Sequence, residues 1–255
     1  MNIIVCYKIV PDEQDAVVGA DRTLSFDRAA LKVGDYDLNA LEAGAQLAAS
    51  WGARLVGLTA GGDAVEDSKL KKAVLARGAD ENVAVKDAAL AHAGSTLTSR
   101  ALKAALSNIG DFDLVLTGEG SADRYAQQVG IQLGELLGLP VVNAVSAIEL
   151  DGSHALVERV VGNQIEKLEV PLPAVLSVVA DMNTPRIPSM KDILSAGKKP
   201  SRVVTPSEIG LDDLSENLET ISTLAPEQKD RACVVIEGDD EESVKAFLAN
   251  MQAQL

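Results

Sequence analysis

The chain has 255 residues, enough to bury a substantial core either as one large α/β domain or as a domain with a smaller appendage, but tight for two full-size domains. Its formal net charge of −15 repels phosphate backbones and anionic lipid, which speaks against nucleic-acid and membrane-surface roles, and aromatics at 3% leave no base-stacking platform. Hydrophobic residues reach 47%, so the core must be built from Ala, Val, Leu and Ile, as in helices packed on a parallel sheet. The opening MNIIVCYKIV carries the first predicted strand, within residues 3–10, and has no export-signal pattern. No later run approaches membrane-spanning length, so membrane insertion is not expected and a cytoplasmic location is. Further apolar runs at 54–60, 82–85 and 113–117 alternate with helical patterns at 36–50, 66–77, 95–108 and 125–137, the signature of a doubly wound, mostly parallel α/β sheet of the adenine-nucleotide-binding type. From Val141 short β-rich segments separated by turns such as Asp151–Gly152 predict a hairpin or meander extending that sheet. Beyond Met182 the chain turns irregular, interrupted by Pro185, Pro188, Pro200 and Pro206, and ends in a strand candidate at 233–236 and a short helix at 241–252 with an acidic first turn. The predicted organisation is a nucleotide-binding α/β domain over 1–190 and a C-terminal arm over 191–255, which has no evident core and must pack on the main domain or a second chain.

The stretch DLVLTGEGSADRYAQQVGIQLGELLGLP, residues 113–140, reads as a buried strand, a glycine-bearing turn and an amphipathic helix in succession. Leu114, Val115 and Leu116 form the strand, Gly118 and Gly120 permit a tight turn, and Ser121 or Asp123 is placed to cap a helix. The unpaired N–H groups and positive dipole end of such a helix favour a phosphate, with Arg124 close by and Tyr125, Gln127 and Gln128 able to hydrogen-bond a ribose, phosphate or adenine edge. The same pattern also serves as a tight connection with no ligand.

Catalytic chemistry is missing from the pattern. His92 and His154 sit in polar, turn-like surroundings with no nucleophile motif beside them, and read as surface histidines. No His–carboxylate spacing or CxxC pair indicates a transition metal, and the acidic run PDEQD at 11–15 reads as a solvated loop. Cys6 and Cys233, far apart, read as reduced, buried thiols. A glycine fingerprint after the first strand and a GxxxxGK[ST] loop are both absent, so any nucleotide is held later in the sheet. The expectation is a nucleotide holder with no catalytic residues and no metal.

Four separated stretches then agree with one family: YKIVPD at the first strand, GDYDLNALEAG before the first helix, DLVLTGEGSADRYAQQVG, and LPAVLSVVADMNTPRIPSMKDILSAGKKP. Together they resemble the β subunit of electron-transfer flavoprotein, in particular its Fix-like branch, over nearly the whole chain. The resemblance implies a heterodimer with an α subunit, in which an FAD at the interface carries electrons between an acyl-CoA dehydrogenase-type partner and an acceptor chain, in either direction. It implies an electron carrier rather than an enzyme, and a pocket in the β chain that holds either AMP or a second FAD. Carried onto this sequence, the cofactor-binding positions are Cys6, Gly34, Asp35, Tyr36, Asp37, Ala60, Thr117, Gly118, Ser121, Asp123, Arg124, Tyr125, Ala126, Gln127, Gln128 and Val129. Many members have acidic residues followed by NQTG where this chain has ADRYAQQVG, so Asp123 and Gln128 match while Val129 replaces the threonine hydroxyl. The segment ADMNTPRIPSM resembles the family's partner-recognition loop, with Met190 at the anchor position, and Tyr36 matches an aromatic position near the interface flavin. The arm after Lys198 would wrap the α subunit. Two competing readings use the same architecture: a stand-alone homodimeric nucleotide-binding sensor of the stress-protein type, and an ATP-consuming ligase or hydrolase, for which KIVPDEQD supplies no phosphate loop.

Overall fold

The computed structural model describes residues 1–216, 218–227 and 233–253. In chain order the strands are β1 (Asn2–Cys6), β2 (Ile9–Pro11), β3 (Val17–Val18), β4 (Leu24–Ser25) and β5 (Leu31–Val33), followed by α1 (Asp35–Trp51), β6 (Arg54–Gly61), α2 (Ser68–Leu75) and β7 (Glu81–Lys86). Then come α3 (Ser95–Ile109), β8 (Leu114–Gly118), α4 (Val129–Leu137), β9 (Val141–Asp151), β10 (His154–Val161), β11 (Gln164–Pro171), β12 (Ala174–Val178), α5 (Met190–Ala196), β13 (Ser201–Val204) and α6 (Glu241–Gln252). Nine strands form one sheet in the order β11-β10-β9-β12-β8-β1-β6-β7-β13. From β9 to β13 all neighbours are parallel, while β10 and β11 extend the sheet as an antiparallel meander. The doubly wound α/β sheet with a hairpin extension is therefore the fold that the alternating pattern predicts.

Both faces of the central parallel strands β1, β6, β7, β8 and β12 are covered, which is why these strands are nearly continuous apolar runs. Along β1, Ile3 and Val5 enter one core with Leu41 of α1, Leu55, Val74 of α2, Leu116 and Leu176. Ile4 and Cys6 point the other way, into a second core with Leu58, Leu97 and Leu102 of α3, Val115 and Leu133 of α4. The strand order reverses beside β1: β6 and β7 follow on one side, β8, β12 and β9 on the other. At such a switch point the connections leave in opposite directions and open a crevice at the carboxyl ends of β1 and β8. Cys6 and Gly118 are the last residues of those two strands.

Three sequence expectations need correction. The helix expected from residue 125 begins at Val129, because Tyr125 (φ 44°) and Gln127 (φ 56°) adopt left-handed backbone that a right-handed helix cannot contain. The stretch beyond residue 182, expected to be irregular, holds a four-residue edge strand: β13 pairs in parallel with β7, and Leu211 and Leu214 pack on the α3 side core while Arg100 holds the backbone oxygens of Asp213 and Ser215. Residues 233–236 form no strand, and Cys233 is exposed rather than buried.

The chain divides into two compact units, one of Met1–Val17 with Ser25–Ser222 and one of Val18–Leu24 with Thr223–Leu255. In the second, Thr23 bridges Leu224, Arg22 pairs with Glu227 at 3.0 Å, and α6 is capped by Asp240, whose side chain accepts from Ser243 N at 2.8 Å. α6 carries Val244, Phe247, Leu248 and Met251 on one stripe, all exposed. Among the described residues no helix is long and apolar enough to cross a membrane.

Candidate functional site

The site grows from the carboxyl ends of β1, β6 and β8. Lys8 and Gly34 form the neck of the chain after β1, with Gly34 N donating to Lys8 O at 2.9 Å. Gly34 also starts α1, and Asp37 in the first turn turns back over the crevice: its Oδ2 accepts from Lys8 N at 2.7 Å and its Oδ1 from Gly118 N at 3.3 Å. One buried carboxylate thus ties the ends of β1 and β8 to the start of α1. Lys8 Nζ reaches across to Asp123 Oδ2 at 2.5 Å. Neither Ser121 nor Asp123 caps α4, whose N-cap is Gln128 with no side-chain cap bond; Asp123 is committed to Lys8 instead.

Burial pushes the Asp37 carboxyl up to about 7, although the N–H donors of Lys8 and Gly118 and the Lys8 charge favour its ionised form; the Asp123 charge adds to the rise. Burial likewise raises the Cys6 thiol, with the Asp37 charge adding to it, so Cys6 is an inert packing group. For Asp123 burial works upward, but the bonds from Lys8 and Ser121 outweigh it and hold the carboxyl below its ordinary value. A carboxyl such as Asp37, which binds its proton more tightly folded than unfolded, stabilises the fold fully below its ordinary value of 3.8, and that contribution is lost as pH rises through about 7. Asp37→Asn is therefore expected to flatten the fall in thermal midpoint between about pH 4 and about pH 7. Parallel profiles for parent and variant across that window would refute the assignment.

Most of the sixteen positions carried over from the sequence meet at this crevice. Cys6, Gly34, Asp37 and Thr117 form its buried floor, with half-buried Gly118 beside them, and Thr117 Oγ1 lies 2.8 Å from Ser177 Oγ. The rings of Tyr36 and Tyr125 meet in a tilted contact, 5.3 Å between centroids with planes at 43°. The turn leaves room for Tyr125 only because residue 120 is glycine, since a Cβ there would lie 2.5 Å from the Tyr125 ring. Ser121 O accepts from Tyr125 N, Arg124 Nη2 donates to His92 O at 3.3 Å, and Gln128 Oε1 accepts from Ser95 Oγ at 2.9 Å. Val129 begins α4 and its carbonyl accepts from Ser99 Oγ at 3.2 Å, while Ala126 and Gln127 lie exposed between these contacts. Asp35 faces away, paired with Lys32 at 3.0 Å.

Ala60 lines a cavity of about 200 Å³ together with Lys8, Ile9, Gly61, Gly62, Val65, Leu90 and Ala91, among others. Apart from Ala60, these residues are not among the sequence-predicted positions; the visible signal was the Gly61–Gly62 pair directly after an apolar strand. A Cβ on Gly62 would lie 2.8 Å from the Ala91 Cβ, so the glycines let two loops approach closely around this space. The sequence reading also missed Ser95. Its hydrogen bond to Gln128 brings the starts of α3 and α4 together, and neither helix has a side-chain cap. Two positive dipole ends therefore converge beside the crevice, with Gly94 N already satisfied by the Glu216 carboxylate at 2.7 Å. An arrangement of this kind holds an anion such as a phosphate and orients what is attached to it.

Met190 lies on the same compact unit. It opens α5, is 72% exposed, and is fixed by a capping box in which Ser189 and Asp192 bond each other's backbone N–H. The segment before it is held by α1: Asn39 Nδ2 donates to the carbonyls of Ala180 and Asn183, both at 2.8 Å. Glu42 accepts from Arg186 N, Nε and Nη2. Burial alone would raise the Glu42 carboxyl, but the bonds from Arg186 and Gln46 hold it below its ordinary value. Ile187, Met190 and Leu194 are thus exposed apolar groups on a braced segment. Compared with known families, the chain is matched by the model of the electron transfer flavoprotein domain over residues 23–209, more than half its length.

Proposed function

The chain belongs to the electron transfer flavoprotein family, flavin-linked electron carriers that work with dehydrogenase-type redox partners, and from that premise we propose that it is the β subunit of a Fix-like, two-chain carrier. In this reading it forms one side of an FAD site shared with an α subunit and receives electrons from an acyl-CoA dehydrogenase-type partner, or returns them. The observation that carries the reading is the pairing, on one compact unit, of a polar crevice at the sheet's switch point with a braced, exposed apolar segment at 187–194. Bound FAD supplies the redox chemistry, and the chain's own residues bind, orient and tune.

The β chain's own nucleotide is proposed to lie at the ends of β1, β6 and β8. The start of α4, which no side chain caps, suits its phosphate, and the loops at Gly61–Gly62 and Leu90–Ala91 suit a flat base. The cavity of about 200 Å³ is small beside the volumes usual for cofactor pockets, which favours AMP over a second FAD. Tyr36 and Tyr125 provide an aromatic surface for the interface flavin. The C-terminal arm from residue 191, which carries the exposed stripe of α6, is proposed to pack on the α subunit.

Co-expression with an α subunit, purification, denaturation and mass detection of released nucleotides tests this reading. One flavin with one AMP per heterodimer is expected. Two flavins and no AMP would overturn the mononucleotide assignment, and failure to form a complex or retain flavin would turn the reading toward a stand-alone nucleotide-binding sensor.

A further inference from the structure

A second cavity lies away from the crevice. A groove of about 700 Å³ runs between α2 and the segment leading into α5, with Lys69, Lys72 and Arg77 on one wall and Ile187, Pro188 and Ile193 on the other. In a chain of net charge −15 this wall gathers three cations in one place. Lys8, Lys32, Lys86 and Arg186 are each matched by a carboxylate, whereas Lys69, Lys72 and Arg77 make no ion pair among the described residues. The Nε of Arg77 is buried without a hydrogen-bond partner, and its Nη1 has only the Ala73 carbonyl at 2.8 Å. Asp67, which also lines the groove, is held in place by capping α2, accepting from Lys69 N at 2.7 Å and Leu70 N at 3.0 Å, and Asp192 by the capping box with Ser189; neither forms an ion pair with the three cations, whose charge they offset only in part. Opposite stands Ile187, 93% exposed, with Ile193 also exposed.

Unpaired cations facing an unburied apolar wall fit an occupant that has both carboxylates and an apolar side chain. We propose that this groove receives an acidic segment of the dehydrogenase-type redox partner, its carboxylates meeting Lys69, Lys72 and Arg77 and an apolar side chain lying on Ile187, Pro188 and Ile193. The inference rests on the carrier reading for the identity of the partner, but not for the groove's chemistry. The groove is continuous with the segment that presents Met190, so its role is to set the orientation of a contact that forms and breaks at each turnover. Beyond about 10 Å at 0.1 M salt the chain's net negative charge is screened, so the groove's cations act on the partner only once it is close.

The test uses the full chain and a fluorescein-labelled dodecapeptide rich in glutamate with one central leucine, followed by anisotropy at 0.1 M salt. Saturable binding is expected, weakened at least about tenfold by the double variant Lys69→Glu/Lys72→Glu and about fivefold by Ile187→Ser or by serine in place of the peptide's leucine. All the substituted side chains are at the surface, and far-UV circular dichroism verifies the fold. No measurable binding, or affinities within twofold for every variant, would overturn the proposal. Displacement of the peptide by millimolar inorganic phosphate, with no dependence on its leucine, would also overturn it and assign the wall to a small anion. Flavin content of the complex with an α subunit is measured in parallel. A complex without flavin sinks the carrier reading and leaves the peptide result standing, whereas normal flavin with charge-insensitive peptide binding removes the groove alone.

Discussion

Gly118→Val is expected to yield a chain that unfolds more easily by about 1–3 kcal/mol and that fails to retain the nucleotide proposed for this crevice. Gly118 ends β8 at the switch point, where a Cβ would lie 2.7 Å from Asp37 Oδ1, 2.7 Å from the Tyr36 carbonyl carbon and 2.8 Å from the Tyr36 Cβ. The last two atoms cannot swing aside, so α1 itself must retreat from β8. That movement stretches the bond from Gly118 N to Asp37 Oδ1 and leaves a buried carboxyl with one donor fewer. It also shifts Lys8, whose N–H bonds the same carboxyl, and through Lys8 its ion pair with Asp123. Urea unfolding monitored by circular dichroism, with nucleotide counted by mass detection, checks both parts. An unchanged midpoint with full nucleotide content would show that this close approach does not hold the crevice together.

Met190→Ala is expected to slow electron delivery from a dehydrogenase-type partner by about tenfold or more while leaving bound flavin and the unfolding midpoint unchanged. The side chain is 72% exposed, so truncation opens no cavity and stability is expected to stay within about 0.5 kcal/mol. Its backbone is fixed by the capping box and by the grip of Asn39 and Glu42 on the preceding segment. A flexible thioether on a rigid base can adapt to a partner's pocket at little ordering cost. The rate is read at limiting partner concentration, where docking counts. Equal rates for variant and parent would remove Met190 as the anchor, and a fall in rate that tracks a fall in flavin would make the effect structural.

The parts of the molecule that were legible in sequence are those where local pattern and burial coincide. Strands covered on both faces must be apolar at nearly every position, so 54–60, 82–85 and 113–117 were found within a residue of β6, β7 and β8. Gly110 and Gly138 stop α3 and α4 at φ 103° and 68°, conformations that glycine adopts at no steric cost. The start of α4 was misplaced because Tyr125 and Gln127 carry no mark of their left-handed backbone, which the contact with Tyr36 and the Lys8–Asp123 pair impose from outside the segment. β13 was missed because an edge strand of four residues has little apolar pattern, and its identity comes from pairing with β7, 119 residues earlier at Asn82 and Ser201.

By itself the sequence determined the layered α/β architecture and the strand–turn–helix at 113–140, since each is written in contiguous residues whose spacing follows the period of its own backbone, whereas Met190 stood out only through the family resemblance of its segment. Only the tertiary structure decided that Asp37 closes the ends of β1 and β8, that the starts of α3 and α4 meet through Ser95 and Gln128, and that Lys69, Lys72 and Arg77 face Ile187 across a groove. These are juxtapositions of residues from 29 to more than 100 positions apart. No local periodicity encodes them; the order in which the strands pair does.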